Sequence, residues 1–194
     1  GKIISEVLTS FKHVISNKSN LEDLTEHYDF LPKVILSLSC SDSKVVIMTL
    51  EILANVVLFT EMGHSKVMDA VDYFKFKKKE SRRFQTIVEI LKFQTDSESR
   101  TATLSLINSL INTPEDLDDR LIIRGEFAEL GLEDLITKLK DQDEDDAQIT
   151  TYEEDAAQDE EEFKDRLDTN TNIQFDNHKQ LIEVLMGHVA GKEH

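Results

Sequence analysis

The sequence predicts an all-α fold, a right-handed α-solenoid of short stacked helices, and three observations carry that expectation. Apolar residues recur at spacings of three and four rather than two. Two Pro and six Gly in 194 residues are too few to punctuate the many tight turns of a β fold. The helical segments run about two to four turns and alternate short with long, whereas a four-helix bundle needs longer and more uniform helices.

Ile3, Val7, Phe11 and Val14 mark a first apolar stripe. Ser19 and Glu22 then have capping-box spacing, and Pro32 suits the start of a short helix reaching Leu38. The segment from Ser43 to Phe59 carries Ile47, Leu50, Ala54 and Val57 on one side and is apolar enough to be a central helix buried on most faces. A short helix from Ser65 to Tyr73 should lead into an exposed connection containing Lys75, Lys77, Lys78, Lys79, Arg82 and Arg83. Phe84, Ile87, Val88 and Leu91 begin an amphipathic helix, which Thr95-Asp96-Ser97 separates from the next, Ser99 to Asn112. Thr113-Pro114 turns the chain into a helix bearing Leu117, Leu121, Ile122 and Phe127, ended by Gly131 as a left-handed cap before a shorter helix with Leu135, Ile136 and Leu139.

From Asp141 to Asp165, thirteen acids stand against Lys164 alone. That density predicts a flexible acidic loop over 141–157, with a short ordered segment at Ile149 to Tyr152, and then a helix from Gln158 to Leu167. A last helix is expected at Asn177 to Val189. The expected layout is therefore a helical-repeat domain over 1–140, the loop, and C-terminal helices over 158–194 that complete or extend it. The central helices near Ser43 and Ser99 lie about 50 to 55 residues apart, which suggests stacked units of the armadillo or HEAT kind.

Charge and composition exclude several functions. With 22 Lys+Arg against 39 Asp+Glu the formal net charge is −17, wrong for a nucleic-acid binder and right for a basic partner. Cys40 is the single cysteine, and no run approaches 18 apolar residues; a cytoplasmic protein is expected. The start at Gly1 and the polar end Gly191-Lys192-Glu193-His194 read as those of an excised fragment. Asp141, Asp143 and Asp145 occupy positions 1, 3 and 5 of a calcium loop, but Asp146 stands where Gly is needed and Tyr152 where a bidentate Glu is needed. The six His lack metal-ligand spacing, and there is no Gly-rich phosphate loop or nucleophile elbow. Neither catalysis nor a metal or cofactor is expected.

Two surface features remain. Met48, Glu51 and Asn55 are spaced i, i+3, i+7, as are Ser105, Asn108 and Asn112, so each trio shares one helix face. Side by side these faces would line a groove, and apart from Glu51 they are uncharged, unlike an ordinary solvated face. The basic cluster Lys75 to Arg83 is either a solvated loop or a dock for a membrane surface or an acidic protein patch.

Several segments carry a family resemblance: Leu106-Ile107-Asn108-Ser109-Leu110-Ile111, Thr113-Pro114-Glu115-Asp116-Leu117-Asp118-Asp119-Arg120, Ile123-Arg124-Gly125-Glu126-Phe127 and Leu130-Gly131-Leu132. In this order they resemble the core of the formin homology three, or diaphanous inhibitory, region of diaphanous-related formins. Glu6-Val7-Leu8 through Ile15-Ser16-Asn17-Lys18 is similar to that family's first armadillo helix, which ends Met-Asn-Asn-Lys, and Phe163-Lys164-Asp165-Arg166-Leu167 also resembles it. The resemblance implies an armadillo-repeat inhibitory domain. Such a domain grips an amphipathic, basic-tailed C-terminal autoregulatory segment of the same formin and is released by a Rho-family GTPase, so controlling actin assembly in the cytoplasm, at the cytoskeleton and cell cortex. It places Asn108 and Ser109 in the groove, to which the helix spacing adds Glu51, Asn55, Ser105 and Asn112, and it places Asn17 and Lys18 at the GTPase contact. The family's dimerisation helices fall beyond this chain, so a monomer is expected. Two departures stand out: Ser16 replaces an Asn, and Lys75 to Arg83 is basic where familiar members are acidic. The competing expectation is an armadillo-type scaffold or localisation module without an autoinhibitory role.

Overall fold

A computed structural model describes residues 6, 8–10, 17–27, 29–93, 96–141 and 146–166. The expected stripe at Ile3 to Val14 and the expected helix at Asn177 to Val189 lie outside them. Among the described residues the chain is all-α and armadillo-like, built of short helices stacked on their neighbours. They are α1 (Lys18–His27), α2 (Leu31–Val34) running into a 3-10 turn (Ile35–Ser39), α3 (Ser43–Phe59), α4 (Gly63–Lys78), α5 (Gln85–Phe93), α6 (Ser97–Asn112), α7 (Leu117–Glu129), α8 (Leu132–Lys140) and α9 (Ala147–Arg166). The chain divides into two compact units, Gly1–Thr113 and Pro114–His194.

In the first unit α3 is the centre. It packs chiefly along α6 and also against α1, α4 and the 3-10 turn. Asp42 starts it by accepting a hydrogen bond from the Lys44 amide at 3.1 Å, and ten of its seventeen residues are buried. Buried hydroxyls are satisfied within their own helices: Thr49 Oγ1 donates to the Val45 carbonyl at 2.7 Å and Thr103 Oγ1 to that of Ser99 at 2.7 Å. Asp96 caps α6 through the Ser99 amide at 2.8 Å. Two α4 side chains tie neighbouring helix ends. Lys66 donates to the Thr25 and Glu26 carbonyls in the last turn of α1, and His64 Nε2 donates to the Leu110 carbonyl at 2.9 Å. A carbonyl can only accept, so Nε2 is the donor in this contact.

Two local expectations are corrected here. The cap expected at Ser19 from its spacing to Glu22 is supplied instead by Asn17, whose Oδ1 accepts from the Ser19 amide at 2.9 Å, and α1 begins at Lys18. The short helix expected to stop at Tyr73 runs on to Lys78, since Val67, Ala70, Val71 and Phe74 keep one face buried and lysine is a good helix former. It closes in a Schellman turn: the Lys79 amide donates to Phe76 O at 3.4 Å and the Glu80 amide to Lys75 O at 3.0 Å. Lys79 holds the left-handed position of that turn at φ 57°, where glycine would cost about 1 kcal/mol less.

The second unit corrects the expected acidic loop from residue 147 onward; residues 142–145 lie outside the described residues. Residues 147–166 form one helix, α9, whose buried side chains are Ile149, Tyr152, Ala156, Asp159 and Phe163. Spacings of 3, 4, 3 and 4 put all five on one stripe, which packs on α7, with Phe163 against Leu117 and Leu121. Charge density did not prevent packing because the other faces carry the remaining acids into solvent. Asp116 caps α7, accepting from the Asp118 amide at 2.9 Å, and Gly131 adopts the expected left-handed conformation at φ 82° between α7 and α8.

Candidate functional site

Because α3 and α6 are wrapped by other helices, each leaves open one narrow stripe. On α3, Met48, Glu51 and Asn55 are half-buried while the residues between them are buried, apart from the ends of the helix. Thr9 Oγ1 donates to Met48 Sδ at 3.6 Å, so the helical segment around residues 8–10 borders this stripe. Leu58 and Phe59 end α3 with exposed apolar surface, Leu58 at 55%. Their spacing of 10 and 11 from Met48 is legible in the sequence, but as apolar residues they stand outside its polar trio.

On α6 the sequence-derived set divides. Ser105 and Asn112 are half-buried, Asn108 is 6% exposed, and Ser109 is 4% exposed with its hydroxyl donating to the Leu106 carbonyl at 2.8 Å. Ser109 is therefore set in the wall beneath the stripe, and its hydroxyl is turned back onto its own helix. Glu51 brings the only charge among the six expected groove residues. A carboxamide or hydroxyl both donates and accepts, so Asn55, Ser105 and Asn112 can meet a docking helix without desolvating a charge. Among these six residues there is no nucleophile–base pair.

The expected GTPase residues lie at the start of α1. Asn17 is exposed and spends its Oδ1 on the cap; the Lys18 side chain lies outside the described residues. Among the described residues no cluster of three His, Cys, Asp or Glu is arranged to hold a metal ion, and no helix is long and apolar enough to cross a membrane.

The arginines of the 113–132 segments have a structural task. Arg120 Nε donates to Asp159 Oδ1 at 2.7 Å, its Nη2 to Glu162 Oε2 at 2.7 Å, and its Nη1 to the carbonyls of Pro114 and Glu115 at 3.2 and 2.8 Å. Arg124 Nη2 donates to Asp159 Oδ2 at 2.9 Å, and its guanidinium lies 5.2 Å from the centre of the Tyr152 ring. Burial lowers the Arg120 pKa, but the bonds and charges of Asp159 and then Glu162 outweigh it, and the net direction is upward. Sequence reading missed this network because its carboxylates sit 35 to 42 residues away within an acid-rich stretch.

Residues 64–194 match the family described as the Diaphanous FH3 Domain. Formin-A of Dictyostelium discoideum is 30% identical, over 96% of this chain and 16% of its own length. Inverted formin-2 of Xenopus laevis is 28% identical over 91% of the chain and 16% of its own length. Disheveled-associated activator of morphogenesis 1-A of Xenopus laevis is 27% identical over 95% and 18%. The chain spans about a sixth of the length of these curated relatives.

Proposed function

This chain belongs to the Diaphanous FH3 Domain family, and on that premise we propose that it is the regulatory, non-catalytic module of a formin, holding a C-terminal amphipathic helix of the same protein. One observation carries the reading. Two adjacent, largely buried helices, α3 and α6, each leave open a narrow stripe, Met48, Glu51 and Asn55 on the first and Ser105 and Asn112 on the second, and α3 ends in exposed Leu58 and Phe59. An amphipathic helix lays its apolar side against such a surface. A basic tail on that helix would be drawn by the −17 net charge. Glu51, Asn55, Ser105 and Asn112 make the polar contacts, while Asn108 and Ser109 shape the wall.

In this reading a GTP-loaded Rho-family GTPase engages the turn at Asn17 and Lys18. Peptide and GTPase weaken each other by the same free energy, because coupling between two binding sites is reciprocal. The consequence is control of actin nucleation and elongation by the parent formin, in the cytoplasm and at the cytoskeleton, with this segment acting as a monomer.

The test is a titration of the chain with the C-terminal tail peptide of its parent protein, at low and at physiological salt. Saturable binding that weakens as the Debye length shrinks toward about 8 Å is expected. No binding at either salt by a folded sample would replace autoinhibition with a scaffold or localisation role. Adding the GTP-loaded GTPase should lower peptide affinity, and an unchanged affinity would remove the proposed release step.

A further inference from the structure

The end of α4 and the turn that follows gather Lys75, Lys77, Lys78, Lys79, Arg82 and Arg83 against one acid, Glu80, in a chain whose net charge is −17. Lysines in a last turn complement the helix dipole, but one or two suffice for that. Three further features are left unexplained by the dipole. Phe76 stands among these lysines 77% exposed, the most open large apolar side chain among the described residues. Lys79 occupies the left-handed position that glycine normally takes, so a lysine is kept at a backbone cost.

The third feature is that the turn is shaped. It is bracketed by two non-glycine residues of positive φ, Lys79 at 57° and Phe84 at 64°, the latter anchored by a buried ring. Glu80 accepts a hydrogen bond from Thr86, Ser81 Oγ donates to Gln85 Oε1 at 3.1 Å, and Arg83 approaches Asp72 at 3.7 Å. A merely solvated linker needs none of these ties. They draw the one acid of the turn back toward α5. Asp72, Lys75, Phe76, Lys77, Lys79 and Glu80 line an open depression on this surface.

We propose that this turn is a docking site for an anionic lipid bilayer, with Lys75, Lys77, Lys78 and Lys79 meeting headgroup phosphates and Phe76 entering the interface. An exposed ring inside a basic cluster is what distinguishes a bilayer from an acidic protein patch as occupant: the ring needs an apolar layer beneath the negative charges. The chain's net charge of −17 otherwise opposes approach to such a membrane, so a locally basic surface is what can dock. The proposal stands independently of the groove, since it uses none of its residues.

The experiment is co-sedimentation of the chain with vesicles of pure phosphatidylcholine and of phosphatidylcholine with phosphatidylserine, at roughly 0.05 and 0.15 M salt. Partitioning onto the anionic vesicles alone, weaker at the higher salt, is expected. Each basic residue near the surface is worth about fivefold in partition, so Lys77→Gln/Lys78→Gln/Lys79→Gln should lose about a hundredfold. Lys79→Gly should melt at a higher temperature than the parent yet lose about fivefold, separating binding from folding. Phe76→Ser should weaken binding at both salts. Equal partition onto neutral vesicles, no partition at the lower salt, or binding to poly-glutamate but not to vesicles would overturn the proposal.

Discussion

Asp159 Oδ2 and Arg124 Nη2 are joined at 2.9 Å, with 5% and 1% of their side chains exposed. The same carboxylate accepts from Arg120 through its other oxygen at 2.7 Å. One acid of an acid-rich helix thus serves two cations of α7, and Arg166, at the other end of α9's last turn, reaches back to within 3.7 Å of Asp118. The acidic helix is fastened by charge as well as by the Phe163 cluster.

Removing Asp159 alone should be severe. Asp159→Asn removes the carboxylate charge that faces the buried Arg124 guanidinium, and breaking a buried pair from one side costs about 3–5 kcal/mol. Arg124→Met/Asp159→Leu, which removes both charges, should recover most of that loss. Urea unfolding of the two variants checks this; equal destabilisation would mean that the pair matters through shape and not charge.

The contrast between α6 and α9 shows what the sequence disclosed. In α6, Leu104, Ile107, Leu110 and Ile111 give a clear helical period, so its existence and face were legible, with a start only two residues earlier than expected. In α9 the same period was present as Ile149, Tyr152, Ala156 and Phe163, but a charged residue, Asp159, completes the stripe. A buried aspartate is legible only with its arginine partners, and those lie in another helix. The end of α4 was hidden for a different reason: Lys79, not glycine, terminates it. Of the expected groove set, spacing put Ser105, Asn108 and Asn112 on one face of α6, but not the depth at which Asn108 and Ser109 sit, since depth depends on packing by neighbours.

Tyr152 predicts an alkaline effect. Burial raises its pKa above the usual 10, the nearby Arg124 charge pulls it back, Glu133 raises it again, and the net direction is upward. Unfolded Tyr152 therefore loses its proton first as pH rises past about 10. The stabilising contribution is fully present below that pH and declines as pH climbs toward the folded-state value. Tyr152→Phe should remove this part of the decline while costing about 1 kcal/mol or less at pH 7. Parallel stability curves for parent and variant above pH 10 would refute the assignment.

The two described glycines near helix starts should respond in different ways. A Cβ on Gly63 would lie 1.9 Å from the Val56 carbonyl oxygen and 2.5 Å from Thr60 Oγ1, so Gly63→Ala must force the start of α4 away from the end of α3. A loss of about 1–3 kcal/mol is expected. Gly131 has open space around it, and its constraint is the φ of 82° alone. Gly131→Asn should therefore be milder than Gly131→Val, because Asn tolerates the left-handed region and a β-branched residue does not. Thermal melts of the three variants provide the ranking, and a harmless Gly63→Ala would contradict the packing described here.

The groove reading makes a paired prediction on α6. Ser105 is half-buried on the open stripe, so Ser105→Arg should leave the melt nearly unchanged while placing a long cation where a basic-tailed helix would lie. Peptide affinity should fall tenfold or more, about 1.4 kcal/mol or above. Ser109 differs in depth: its hydroxyl is bonded at 2.8 Å to Leu106 O within the wall. Ser109→Ala should cost about 1 kcal/mol or less of stability and leave the peptide affinity within a factor of two or so, since that carbonyl remains part of the helix. Calorimetric titration of the two variants beside their melts separates the roles. If Ser109→Ala loses the peptide and Ser105→Arg keeps it, the assignment of the open stripe as the docking surface falls.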